Sequence, residues 1–237
     1  MNPFQAGKVK KAVTFSYDDG VVQDVKMVDL MAKYGIKDTF NINSELLGQG
    51  GFLRFPDACL CHYKVKPEDV RDIYQGHEVA VHTLTHPALT EQTDDEVIRQ
   101  VEQDRLNLSE LVGYEVTGMA YPGGLYDDRV VSLLRDKTGV RYSRTIDNNG
   151  SFDVQSNLYQ LQPTVFHQDY DKMFALAEEF LSMKAEKPQI FYIGGHAYEQ
   201  DIGNDKWTRL EEFFKLISGH DDIFYGTNKE VLLPEKG

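Results

Sequence analysis

An apolar run, Ala12 to Phe15, ends abruptly in Ser16-Tyr17-Asp18-Asp19-Gly20, and this ending constrains the fold more than any other stretch of the chain. The run reads as a strand by composition. Neighbouring side chains of a regular strand point to opposite faces, so two adjacent carboxylates serve one site only if the strand stops and the backbone turns there. Gly20 permits the turn. Asp-Gly is also a common surface-turn dipeptide. The stretch therefore gains a chemical meaning only together with two others, His82-Thr83-Leu84-Thr85-His86 and Gly194-Gly195-His196.

The same unit, a short apolar strand closed by turn residues and followed by an amphipathic helix, recurs along the chain. Strands are predicted over residues 11–17, 36–42, 77–81, 117–121, 140–146 and 189–193, with 158–166 extended apart from Pro163. Helices are predicted over 23–33, 67–74, 93–112, 127–136, 170–184 and 205–218, where apolar residues return at helical spacing. Thr93-Asp94-Asp95-Glu96 has the form of a capping box, and Gly113 supplies a left-handed exit. Residues 44–64, with Gly48, Gly50 and Gly51, read as one long loop at the rim of a site. Strand-helix alternation predicts an α/β fold with a parallel sheet. Motifs falling repeatedly at strand ends predict an irregular (β/α)7-type barrel, one domain over 1–237, with its site on the carboxyl-end face.

Composition narrows the class. Of 237 residues, 41% are hydrophobic and 27% charged, as in a soluble globular protein, and no apolar run approaches the ~20 residues that span a bilayer. A formal charge of −13 and a pI of about 4.9 argue against nucleic acid or an anionic membrane as partner. The chain opens without the apolar region of a secretory signal, which sets the expectation of a cytoplasmic protein. Two cysteines, Cys59 and Cys61, make no disulfide framework. Cys59-Leu60-Cys61-His62 lacks the second pair of a zinc ribbon, so buried or incidental thiols are expected.

His82 and His86 are four apart, the spacing that puts two ligands on one helix face. The helix reading fails because Pro87 disfavours helical geometry at His86 and Thr83 and Thr85 are poor helix formers. The two imidazoles must converge through a loop, where a threonine hydroxyl can fix a ring. Asp19, His82 and His86 then make three protein ligands, the number expected of a catalytic rather than a structural metal. Ligand types alone also admit a facial triad for iron and oxygen chemistry. Asp18 and His196 favour hydrolysis, since they supply a general base and a general acid.

In combination these residues resemble the polysaccharide deacetylases of carbohydrate esterase family four, over about residues 11–225. Asp18-Asp19-Gly20 resembles the family's first motif, which implies Asp18 as base and Asp19 as metal ligand. His82-Thr83-Leu84-Thr85-His86 resembles the second, which implies both histidine ligands. Ala120-Tyr121-Pro122-Gly123-Gly124 falls where the third would lie, and Ile193-Gly194-Gly195-His196 is similar to the fifth, whose histidine is the acid. The resemblance implies removal of an N- or O-linked acetyl group from a sugar, assisted by one divalent ion, zinc first, with cobalt, nickel or manganese admissible.

Two departures accompany it. Ala120 stands where the third motif has an arginine that orients the base, and Gly123 where it has a tyrosine. The Gly123 amide can still serve an oxyanion, because a main-chain donor needs no side chain. Arg144, in Tyr142-Ser143-Arg144-Thr145 at another strand end, is the candidate replacement for the arginine. No fourth motif is recognisable. Trp207 shares a helical face with Leu210, Phe214 and Ile217, which favours burial over sugar stacking. Tyr198 and Glu199 are expected at the rim, and Asn43 is expected to offer a polar contact. Two alternatives stay open: a non-catalytic metal- or sugar-binding member of the fold, and a hydrolase of a small non-sugar amide.

Overall fold

The computed structural model describes residues 2–55 and 58–233. In chain order they form β1 (Lys11–Asp18), α1 (Asp24–Lys33), β2 (Asp38–Ile42), a hairpin of β3 (Phe52–Phe55) and β4 (Ala58–Cys61), α2 (Val70–Ile73), β5 (Glu78–Val81), α3 (Asp94–Ile98) and α4 (Asp104–Val112). There follow β6 (Gly118–Ala120), α5 (Asp128–Lys137), β7 (Tyr142–Arg144), β8 (Val165–Phe166), α6 (Tyr170–Ser182), β9 (Gln189–Gly195), α7 (Lys206–Ile217), β10 (Ile223–Tyr225) and α8 (Asn228–Leu232). Seven parallel strands in the order β7-β6-β5-β2-β1-β9-β8 curl into an irregular (β/α)7-type barrel. β10 adds to the start of β1, where Lys11 pairs with Ile223.

All eight residues of β1 are buried, which is why its sequence shows a near-continuous apolar run rather than an alternation. β1 lies at the centre, between β2 and β9. The first and the last strong strands are therefore neighbours, with Tyr17 in register with Gly195. Aromatic side chains seal the helices onto the sheet: Phe15 meets Phe214 edge-on at 5.4 Å and 84°, a geometry that adds to the area buried. α7 buries Leu210, Phe213, Phe214 and Ile217.

Between β7 and β8 the barrel is closed by an irregular segment. Ser143 N donates to Leu158 O and Thr145 N to Leu161 O on one side, while Thr164 N donates to Tyr192 O on the other. The expected extended stretch 158–166 thus spans the gap but yields only the two-residue β8. Pro163 brings no N–H to a ladder there.

Two expectations are corrected. Residues 44–64 are not one loop, since β3 and β4 pair antiparallel within them, Leu53 against Leu60. Thr93 does cap α3, its Oγ1 accepting from Glu96 N, but the Glu96 carboxylate pairs with Arg99 instead of returning to the cap. The complete capping box is Thr227 with Glu230, at the start of α8. Neither α8 nor β10 is signalled by a long periodic run.

Candidate active site

The carboxyl ends of β1, β5, β6, β7 and β9 meet at one mouth, where the backbone departs from ordinary geometry. Asp19 (φ 85°), Thr83 (φ 66°) and His86 (φ 61°) are the non-glycine residues with left-handed backbone among those described. Such conformations cost on the order of 1–3 kcal/mol each and gather at functional sites. Gly20 cannot be replaced cheaply, for its φ is +61° and a Cβ there would lie 2.7 Å from Ile42 Cγ2.

Asp19, His82 and His86 each bring a ligand atom to within 4.8 Å of the others. His82 Nδ1 lies 2.8 Å from the Ala120 carbonyl, which can only accept, so Nδ1 carries the proton and Nε2 keeps its lone pair. Burial pushes the His82 pKa down to about 4, leaving the imidazole neutral. A neutral imidazole oriented by a carbonyl, beside an ionised carboxylate, is a donor set that fits a divalent ion.

The loop is pinned from behind. His82 N donates to Ile42 O and Asp104 Oδ2, and Asn43 Nδ2 donates to the carbonyls of His82 and Thr83. A π-helical turn, Arg99–Gln103, joins α3 to α4 and presents Gln100, whose amide closes on both Thr85 N and Thr85 Oγ1. Thr83 Oγ1 accepts from His86 N at 3.0 Å. The threonines therefore hold the loop's backbone, and the His82 ring is fixed by Ala120. Asn43 likewise supports the loop from within.

Asp18 ends β1 and is 3% exposed. Arg144, 1% exposed, donates through Nη2 to both Asp18 oxygens and through Nε to Ser16 Oγ at 3.0 Å. Asn41 Nδ2 adds a bond to Asp18 Oδ1 at 2.9 Å. Arg144 stands directly across the β6–β7 ladder from Ala120. The guanidinium reaches Asp18 from the neighbouring strand, at the level of Ala120, where the arginine of the third motif is missing. Burial opposes ionisation of Asp18, but the charge of Arg144, helped by His82 and His196, holds the carboxyl below its ordinary range.

His196 follows β9, its Nε2 3.8 Å from Asp18 Oδ2. Asp18 and His196 thus stand side by side on one arc of the mouth rather than across it, because β1 and β9 are adjacent strands. Glu199 is not the expected rim contact, being 5% exposed. It lies between two imidazoles, Oε1 3.2 Å from His196 Nδ1 and Oε2 2.7 Å from His167 Nε2. Burial works against a charge on His196, yet Glu199 and Asp18 outweigh it and raise the pKa to about 9. Burial also lowers His167, and Tyr17 Oη completes its bonding at Nδ1, 2.8 Å away. Tyr198 does sit at the rim, its ring against those of His62 and His196.

Gly123 is exposed in the turn after β6, with φ 58°. Trp207 is only half-buried; its Nε1 donates to Asp201 Oδ1 at 2.8 Å, and Lys26 Nζ sits 4.2 Å from the ring centroid. It lines a separate cleft with Asp29 and Lys33. The cysteines are not buried, Cys59 being exposed and Cys61 partly so, and both are free thiols. Two side chains that sequence reasoning passed over close on Asp19: His62 Nε2 lies 3.1 Å from Oδ2 and Lys64 Nζ 3.3 Å from Oδ1. Burial resists ionisation of Asp19 too, but the His62 bond and the Lys64 charge hold it well below the usual range. The only sequence signal for the pair is their place beside the Cys59-Leu60-Cys61 cluster, which points to different chemistry.

The family model described as Polysaccharide deacetylase matches residues 5–143. Peptidoglycan-N-acetylglucosamine deacetylase PgdA of Listeria monocytogenes is 25% identical over 130 residues, 54% of this chain and 24% of that protein. Chitin deacetylase 1 of Cryptococcus neoformans var. grubii is 28% identical over 147 residues, 60% of this chain and 28% of that protein. The chain thus matches about a quarter of the length of each of these relatives. The family 4 carbohydrate esterase from Streptomyces lividans, solved with acetate, superposes with a TM-score of 0.57 at 13% identity, covering 92% of this chain and 93% of that one.

Proposed function

The chain belongs to the polysaccharide deacetylase family, and from that premise we propose that it hydrolyses an acetyl group, N-linked in the first instance, from an acetylated sugar or oligosaccharide. Asp19, His82 and His86 would hold one divalent ion, zinc by donor chemistry, with cobalt, nickel or manganese admissible. When bound, the ion supplies Lewis-acid polarisation and lowers the pKa of water.

The observation that carries the reading is the fixed carboxylate of Asp18. It is buried, oriented by Arg144 and Asn41, and 3.8 Å from His196 Nε2. Asp18 takes the proton of the attacking water. His196 gives its Nε2 proton to the departing amine or alkoxide as the carbon–nitrogen or carbon–oxygen bond breaks. The Gly123 amide is the donor assigned to the oxyanion. Glu199 holds the imidazolium in place, so that proton transfer to the leaving group requires no reorganisation of the site.

The relatives' names, peptidoglycan N-acetylglucosamine and chitin deacetylases, support an acetamido sugar as the substrate class. The test is acetate release from N-acetylglucosamine oligomers and from O-acetylated xylan, with and without added Zn²⁺ or Co²⁺. Metal-stimulated release from either class supports the reading. Stoichiometric metal with no release from any acetylated sugar would favour the binding-only alternative, and release from a small acetamide alone would favour the non-sugar one.

A further inference from the structure

The metal-ligand carboxylate already has a cation on it. Asp19 Oδ1 is the oxygen that faces both imidazoles, 3.9 Å from His82 Nε2 and 3.8 Å from His86 Nε2. Lys64 Nζ lies 3.3 Å from that same oxygen, nearer than either ring. Lys64 is only 8% exposed, and Asp19 is its ion-pair partner among the described residues. His62 takes the other oxygen, Oδ2, and so competes with nothing on the imidazole side.

The lysine is held there by its backbone. Lys64 N donates to Gln49 O at 2.8 Å, Val65 N to Gly20 O at 2.9 Å, and Val22 N to Tyr63 O at 2.8 Å. Residues 63–65 are therefore stitched to the chain immediately after Asp19, and Val21 and Lys64 form an antiparallel bridge. The strap cannot carry the ammonium away without breaking these bonds; only the side chain can swing. It has room to do so, because Lys64 lines a cavity of about 460 Å³ together with Gln49, Leu53 and Tyr198.

The neighbouring charges give no relief. Asp18 is neutralised by Arg144, and Glu199 lies against His196. A dication entering the cluster meets one free negative charge, Asp19, shared with an ammonium that offers no lone pair while protonated. We propose that Lys64 is a built-in competitor for the metal site: it occupies Asp19 Oδ1 in the metal-free protein, must be displaced as the ion enters, and so sets weak, exchangeable metal binding. This rests on the assignment of Asp19, His82 and His86 as ligands.

Metal affinity tests it without reference to activity. Zn²⁺ and Co²⁺ binding is measured by competition with a chromophoric chelator for wild type, Lys64→Met, Lys64→Arg and His82→Ala. Lys64→Met should bind both ions more tightly, on the order of the 10–100-fold by which groups around a metal's ligands alter affinity. Lys64→Arg, which keeps the charge, should stay near wild type. Because the neutral variant leaves Asp19 without its ammonium, Lys64→Gln is the second variant should Lys64→Met fail to fold. Saturating Zn²⁺ should also raise its melting temperature by more than it raises that of wild type. Equal or weaker binding by folded Lys64→Met or Lys64→Gln overturns the inference. If wild type binds Zn²⁺ and His82→Ala does not, that failure leaves the metal site itself standing. If wild type and His82→Ala bind alike, the ligand assignment falls and the inference with it.

Discussion

The two ends of the barrel both bury charge, and they treat it oppositely. At the amino-end floor, Glu78 accepts from Tyr142 Oη at 2.8 Å, Thr39 Oγ1 at 2.9 Å and Lys229 N at 2.9 Å. Asn228 donates to Thr39 Oγ1 and Tyr192 Oη and accepts from Thr14 Oγ1, each at 2.8 Å. These groups saturate one another. At the carboxyl-end mouth, Asp19 Oδ1 meets His82, His86 and Lys64 only at 3.3–3.9 Å, and His196 stands 3.8 Å from Asp18. Three non-glycine residues there hold left-handed backbone. The network around Glu78 and Asn228 is closed by the chain itself, whereas the mouth keeps lone pairs and charges available, the division of labour expected of such barrels.

The sharpest way to break this contrast is at Asp18. Asp18→Asn should lower kcat for acetate release by about 10²–10⁴-fold, the range of general acid-base catalysis, with metal content retained. A wild-type rate would remove Asp18 from the mechanism. Next in size is Arg144→Met, which strands a buried carboxylate and should cost about 3–5 kcal/mol in urea unfolding. Asn228→Ala on the floor should cost about 1–3 kcal/mol while leaving the rate per folded molecule unchanged. A folded but inactive Asn228→Ala would erase the distinction between the two ends.

The smallest effect expected is on pH dependence. In the proposed mechanism Asp18 works ionised, and it sits below its ordinary range, so the acidic limb of kcat should fall at low pH, below the usual carboxylate value. As the proposed acid, His196 works protonated, so the basic limb should be lost as pH rises through its pKa, about 9 before a bound cation draws it down. Glu199→Gln removes the leading cause of that elevation. The basic limb should then move to lower pH by about one unit or more; an unmoved limb would show that Glu199 only fills space.

The sequence was most legible where function fixes local geometry. Asp18, Asp19, His82, His86 and His196 stand at strand ends with turn residues beside them, so strand period and turn chemistry suffice to bring them to one mouth. Arg144 was readable only as a charge at another strand end; that it lies across a rung from Ala120 depends on strand register, which nothing local encodes. His62 and Lys64 were hidden because the strands of the β3–β4 hairpin are short and follow a glycine-rich stretch, Gly48 to Gly51. Its strap is placed by backbone bonds to Gly20 and Val22, which are contacts between distant parts of the chain. Glu199 looked like a rim residue because four positions after a strand end usually means solvent. The turn at residues 197–201 folds it back under His196 instead.

The most direct measurement of the account is metal content and acetate release from the same samples of wild type, Asp19→Ala, His82→Ala, His86→Ala and Asp18→Asn after dialysis against a weak chelator and reloading with Zn²⁺. The account predicts that the three ligand variants lose metal and rate together, while Asp18→Asn keeps its metal and loses the rate alone. Unchanged zinc and unchanged acetate release in His82→Ala and His86→Ala would contradict it.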